Sequence, residues 1–170
     1  MKPSIGKSWI GAAVLAAGML AAGAAVADDV VRHKIPNSDF PILRAVEVPA
    51  GKTTVYLSGA VPSVIDEKAD KATVAAYGDT EAQTGSVLKS IDKTLADLGL
   101  KMGDVFKMQV FLVGDPAKGG KMDFAGFMKG YTKFFGTKDQ PNLPTRSVVQ
   151  VAGLAGPGFL VEIEVTAVRP

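Results

Sequence analysis

Three side chains near the C-terminus are of types that can do chemistry together. Arg146 opens a mostly apolar run, and Glu162 and Glu164 alternate through the last one. A guanidinium offers a planar fork of N–H donors that fits a carboxylate bidentately. A carboxylate can take a proton from an attacking water and hand one to a leaving group. The same residues could instead form a cross-strand ion pair between Arg146 and Glu162 or Glu164, and residue chemistry leaves both readings open. Composition removes much else. The 170 residues include no Cys and one His. That His, His33, lies outside any periodic segment and reads as a solvated tail residue. Thiol nucleophiles, thiolate metal sites, a Ser-His-Asp triad and a multi-His metal centre therefore lack residues. No phosphate-cradling Gly loop follows a strand.

The elements that must position these groups are legible from period. Residues 42–48 and 53–61 read as strands across a Pro49-Ala50-Gly51-Lys52 turn, forming a hairpin. Residues 62–78 read as a loop with room for a short helical turn. Thr84, Leu88, Ile91, Leu95 and Leu98 make one helical stripe. Asp79-Thr80 supplies its N-cap, Thr80 with Gln83 matches a capping box, and Gly99 is placed to end it. Residues 105–113 read as a strand with Phe106, Met108, Val110 and Leu112 on one face. Asp123 caps a second helix carrying Phe124, Phe127, Met128, Tyr131, Phe134 and Phe135, stopped by Gly136. Residues 146–152 and 159–168 read as the last two strands, joined by a Gly-Pro turn. In the final one Phe159, Val161, Ile163, Val165 and Ala167 share a face, so Glu162 and Glu164 lie on the other. The order β-β-α-β-α-β-β predicts an α+β domain, one sheet with helices on one face and hairpins at both ends.

The N-terminus reads differently. Lys2 and Lys7 precede residues 10–26, an uncharged run rich in Ala, Gly, Leu and Val, which ends Ala25-Val26-Ala27 before Asp28-Asp29. A positive start, an apolar stretch and an A-x-A end predict a secretory signal peptide over 1–27, cleaved after Ala27, hence a periplasmic protein with no membrane attachment after cleavage. The run is short and weakly apolar for a membrane span. Residues 28–39 read as a flexible leader and 40–170 as the domain. Loss of Lys2 and Lys7 from 19 basic and 17 acidic residues leaves no net charge, which argues against a nucleic-acid partner. Without Cys, stability after export must come from packing or self-association.

Several segments together resemble one family. Leu143-Pro144-Thr145-Arg146-Ser147, a strand ending Val151-Ala152, a Gly-Pro turn and Val161-Glu162-Ile163-Glu164 are similar to the C-terminal signature of the RidA/YjgF family. Leu57-Ser58-Gly59-Ala60-Val61-Pro62 resembles its S-G-Q-x-P strand end. The 81–100 and 103–112 segments resemble its first helix and third strand. The resemblance implies a chorismate-mutase-like α+β fold and a homotrimer with clefts between subunits. It also implies cofactor-free hydrolysis of reactive enamine or imine intermediates to 2-oxo acids and ammonia. On this basis Arg146 would bind the substrate carboxylate, Glu162 would be the catalytic carboxylate that positions water, and Ser58, Gly59, Ser147 and Tyr131 would line the substrate site. No metal is implied, and the partners are a small carboxylate-bearing imine or 2-oxo acid and further copies of the chain.

The departures from the family pattern bear on activity. Ile42 stands where active relatives carry a Tyr, Met128 where an Asn is common, and Ala60 where the Gln of S-G-Q would be. The polar shell is thus depleted, which commonly weakens activity. The alternative is a non-catalytic trimer that binds a small carboxylate or a protein client. Ribonuclease or translation-inhibiting activity, attached to some relatives, does not suit an exported chain without net charge.

Overall fold

Each periodic segment finds the partner its apolar side requires, but not always the neighbour in sequence. The computed structural model describes Met1 and residues 29–170; the signal segment lies outside the described residues. The elements are β1 (Val31–Lys34), β2 (Leu43–Glu47), β3 (Thr54–Ala60), α1 (Thr80–Asp97), β4 (Val105–Val113), α2 (Phe124–Tyr131), β5 (Thr145–Val151) and β6 (Val161–Val168). Four strands form a mixed sheet in the order β3-β6-β4-β5. β6 runs antiparallel to both β3 and β4, while β4 and β5 are parallel. The chain therefore makes two β-α-β crossovers, β3-α1-β4 and β4-α2-β5, and β6 then slots between the first pair. Parallel neighbours need such a crossover, which a tight turn cannot supply.

Both expected hairpins are corrected. β2 pairs with β1, not β3, and β5 pairs with β4, not β6. The segment read as a flexible leader holds β1, and its anchor is Arg32. The guanidinium donates to the carbonyls of Val105 (3.1 Å), Leu143 (2.7 Å) and Gly103 (2.9 Å), tying the ribbon to the start of β4 and the entry to β5. His33 is likewise a strand residue, with Nε2 2.7 Å from Glu47 Oε1 across the ribbon.

One sheet face meets the helices. Met108, Val110 and Leu112 of β4 pair with Val165, Ile163 and Val161 of β6, all buried against Leu88, Ile91 and Leu95 of α1 and Phe127 and Tyr131 of α2. Phe106 does not join them. A register shift between Val105 and Lys107 turns Val105 inward, fully buried, and leaves Phe106 half-buried. Asp79 caps α1 by accepting from Ala82 N at 2.9 Å, and Asp123 caps α2 through Gly126 N at 3.0 Å. Gly99 and Gly136 take the left-handed conformation that ends each helical stretch (φ 72° and 71°). The apolar side of α2 continues through Phe135 as hydrogen-bonded turns.

Gln83 is not half of a capping box. Its buried amide donates to Gly78 O (2.9 Å) and Gly158 O (3.0 Å) and accepts from Leu160 N (2.7 Å), welding α1 to the approach to β6. Gln83→Leu strands those backbone groups in the core, and buried orphan donors cost about 1–3 kcal/mol each. A loss of about 2–4 kcal/mol in urea unfolding is expected; a change under about 0.5 kcal/mol, the size of an ordinary surface substitution, would show the welds to be dispensable.

Candidate functional site

Paired residues in a sheet present their side chains to the same face, so the register fixes where each candidate points. Arg146 pairs with Met108, which pairs with Val165, both buried under the helices. Glu162 pairs with Phe111, two positions in phase with Gln109, Ser147 and Glu164 on the opposite face. Within one chain, then, Arg146 and Glu162 lie on opposite faces and on non-adjacent strands. The cross-strand ion pair between them is ruled out by that register. The site residues fall into two groups.

The first group shares the outer face of the sheet with Glu162, and of it only Gly59 meets that carboxylate. The strand alternation places Glu162 and Glu164 on the face away from the helices, half-buried. Between Leu57 and Ala60 the β3–β6 pairing shifts register, and Gly59 comes directly under Glu162. A Cβ added to Gly59 would overlap the Glu162 carboxylate, so glycine here makes room for an acid. Ser58 is exposed and lines a cleft of about 290 Å³ with Tyr56, Lys107, Gln109, Glu164 and Thr166. Ser147 is exposed on the same face, across Gln109.

The second group surrounds Arg146 at the edge strand β5. Its Cζ lies 4.2 Å from the centre of the Tyr131 ring, 5.0 Å from Phe127 and 5.7 Å from Phe40. Ring faces attract a guanidinium without using its N–H donors. Nη2 reaches Met128 Sδ at 3.3 Å, a weak acceptor, and the buried Nη1 has no partner. Burial draws the Arg146 pKa below the usual guanidinium value, with the Tyr131 phenol working the other way. The group remains a cation with donor capacity unspent. A buried orphan donor on a charged group is costly, and such groups are normally satisfied.

Tyr131 is the ring nearest the Arg146 guanidinium of the three that face it. It is fully buried, stacked 5.0 Å from Phe135, and donates its hydroxyl to Pro41 O at 2.9 Å. It lies behind Arg146 as a support and fixes the chain at Phe40-Pro41. Phe40 and Phe127 also face Arg146, and nothing in their sequence surroundings distinguishes them from ordinary packing residues. Only the Phe40-Pro41-Ile42 motif pointed to that segment. Among the described residues no cluster of His, Asp and Glu suited to a metal ion occurs.

Comparison with known proteins decides the family. Residues 41–169 match the family model described as Endoribonuclease L-PSP. This chain belongs to the RidA/YjgF family. It is 32% identical over 136 residues to a RutC family protein of Haemophilus influenzae, covering 80% of this chain and 92% of that one. It is 35% identical to the 2-iminobutanoate/2-iminopropanoate deaminase of Salmonella typhimurium, covering 68% of this chain and 79% of the relative. Among solved structures it resembles Escherichia coli TdcF with bound serine, at 32% identity, TM-score 0.54, 72% of this chain and 85% of that one. The RidA/YjgF fold, two helices on a mixed sheet, is thus shared with these relatives.

Burial pushes the Tyr131 pKa up from 10.0 to about 12, opposed by the nearby Arg146. Below pH 10 the phenol is neutral in both folded and unfolded chains. Between the two values the unfolded chain ionises and the folded one does not, so this residue's contribution is lost as pH rises through that window. Tyr131→Phe is expected to cost about 1 kcal/mol near neutrality, through the lost bond to Pro41. Its disadvantage should shrink between pH 10 and about 12. Urea unfolding of both proteins across that range checks this; a gap that holds constant would mean the phenol ionises as freely folded as unfolded.

Proposed function

We propose that this protein hydrolyses reactive enamine or imine intermediates to 2-oxo acids and ammonia, without a cofactor, at sites formed between the protomers of a homotrimer. The observation that carries this reading is the Arg146 guanidinium, caged by rings and held with Nη1 buried and unpartnered. A carboxylate is the ligand such a donor fork fits. The names of the relatives, 2-iminobutanoate/2-iminopropanoate deaminase and reactive intermediate deaminase, supply the reaction class.

Arg146 would hold the substrate carboxylate and set the imine carbon in reach of Glu162 from a neighbouring chain. Glu162 would take a proton as water adds to the C=N carbon, forming the C–O bond. It would give that proton to nitrogen to complete the carbinolamine, then carry the hydroxyl proton to nitrogen as the C=O bond forms and the C–N bond breaks, releasing ammonia and leaving the 2-oxo acid. Because the two groups occupy opposite faces, the contact that joins them sets the β5 edge of one copy against the outer face of the next. Such a head-to-tail contact uses two different surfaces, so it must close as a ring to terminate. A trimer is the smallest ring beyond a pair.

Complementation tests this. Arg146→Ala and Glu162→Gln should each lower imine hydrolysis at least about 100-fold, the usual weight of a proton-transferring group or its equivalent in positioning. The substrate is made by an amino-acid oxidase, and imine loss is followed by semicarbazone formation. Unfolded together and refolded as a mixture, the two variants should regain about a quarter of wild-type activity, since a quarter of random neighbour pairs carry both intact residues. No recovery would remove the shared site. A wild-type rate no higher than the uncatalysed background would remove the enzyme reading and favour a binding trimer; a rate above background that is unchanged in both single variants would remove Arg146 and Glu162 from the site.

We also propose export. It is supported by the charged start, the apolar run 10–26 and Ala25-Val26-Ala27. Fractionation of cells making the full chain should yield a periplasmic protein beginning at Asp28; an intact Met1 in the cytoplasm would overturn it.

A further inference from the structure

We propose that the acid taken at the Arg146 site carries a bulky apolar side chain, of the kind found in imino and oxo acids related to leucine, methionine or phenylalanine. This rests on the reading of Arg146 as the carboxylate anchor. The rings of Phe40, Phe127 and Tyr131 and the thioether of Met128 are grouped around the guanidinium. None is charged, and none offers a strong acceptor or a donor to a ligand's side chain. Tyr131 and Phe127 are fully buried, so a ligand reaches Arg146 past Phe40 and Met128, which are partly exposed.

Those two walls come from different elements and are both held. The backbone before Ile42 is fixed by Tyr131, whose hydroxyl binds Pro41 O at 2.9 Å, and Phe40 N donates to Ser38 Oγ at 3.2 Å. Met128 is carried on α2, one turn before Thr132, which donates to its carbonyl at 3.0 Å. An approaching carboxylate displaces a weak N–H···S contact from Nη2, and reaches the buried Nη1 when the Phe40 and Met128 side chains swing aside. Its substituent then lies along a ring edge and a flexible thioether, surfaces that reward methylenes and adapt to their shape. A substituent with its own charge would be desolvated there without a partner.

Titration calorimetry on the purified protein with 2-oxo acids reads this directly, since they are the products of the reaction. A fully buried methylene is worth about fourfold in affinity. The three extra carbons of 4-methyl-2-oxopentanoate, about half buried, should make it bind about tenfold more tightly than pyruvate. Phenylpyruvate should share that advantage, and 2-oxoglutarate should bind no better than pyruvate. Phe40→Ala and Met128→Asn should each shrink the ratio of the two affinities to about threefold or less, whatever they do to pyruvate alone, while Met128→Leu retains it. Both sites are partly exposed, and circular dichroism will confirm folding. Equal affinity for pyruvate and 4-methyl-2-oxopentanoate, or a preference untouched in both variants, overturns the inference. If no 2-oxo acid binds, or pyruvate binds equally well to Arg146→Ala, the anchor itself is wrong and the parent reading falls with it.

Discussion

Strand β4 lies between β5 and β6, and its register with each decides what any site can contain. Met108 hands one face to Arg146 and Val165; Phe111 hands the other to Val149 and Glu162. Because side chains alternate, a slip of one residue in β5 would exchange the faces of its whole length. That slip is resisted by the core: Val110 and Val148 share the helix-covered face, and Val110 is buried against Ile163. Packing of apolar side chains thus holds the guanidinium and the carboxylate apart on two surfaces of one chain. A reaction that needs both must recruit a second copy, so assembly and chemistry become one requirement.

Placing an arginine on the face that the helices cover demands a supporting environment. The aromatic side chains of α2 and the turns after it supply it as a continuous column, with centroid spacings of 5.7 Å from Phe127 to Tyr131 and 5.0 Å from Tyr131 to Phe135. The rings solvate the cation with their faces and leave the N–H donors free. Tyr131 also reaches forward to Pro41, so the column that cradles Arg146 also sets the position of Phe40. Arg32 adds the other restraint, binding three carbonyls at the base of the sheet. The N-terminal ribbon is therefore part of the site's frame.

How much of this was readable beforehand follows from the range of the interactions. The Asp79 cap, the stripe Thr84, Leu88, Ile91 and Leu95 and the alternation from Val161 to Ala167 are local patterns and match what the sequence implies, whereas Leu98 is exposed at the end of α1 and Phe159 lies before β6. β1 was missed because its anchor acts over 71 to 111 residues, between an arginine in a polar stretch and backbone carbonyls that no side chain reveals. Gln83 was misjudged for the same reason: the capping-box spacing was present, but its partners at Gly158 and Leu160 lie far along the chain. Strand pairing failed where adjacency was taken for contact, since a parallel β4–β5 pair is set by the α2 crossover. Phe106 was assigned inward because a register shift is invisible to strict alternation. Of the site residues, the sequence motif named Arg146 and Glu162, but Thr145-Arg146-Ser147-Val148-Val149 has no clean period to say which face Arg146 takes.

The two halves of the site also rest on separable supports. The carboxylate half depends on a register shift in β3 and on the absence of a side chain at Gly59, features of adjacent strands in the rigid sheet. The guanidinium half depends on α2 and on a two-stranded ribbon tied down by two polar side chains, Arg32 and Tyr131. Two of the three departures from the family pattern, Ile42 and Met128, fall in that second half, and only Ala60 falls in the first. Ile42 and Met128 lie off the four-stranded sheet, so substitution there leaves the strand pairing around Glu162 intact. In the proposed assembly the surroundings of a bound acid and the Glu162 carboxylate would be held by different chains and different elements, so the first could change without the second.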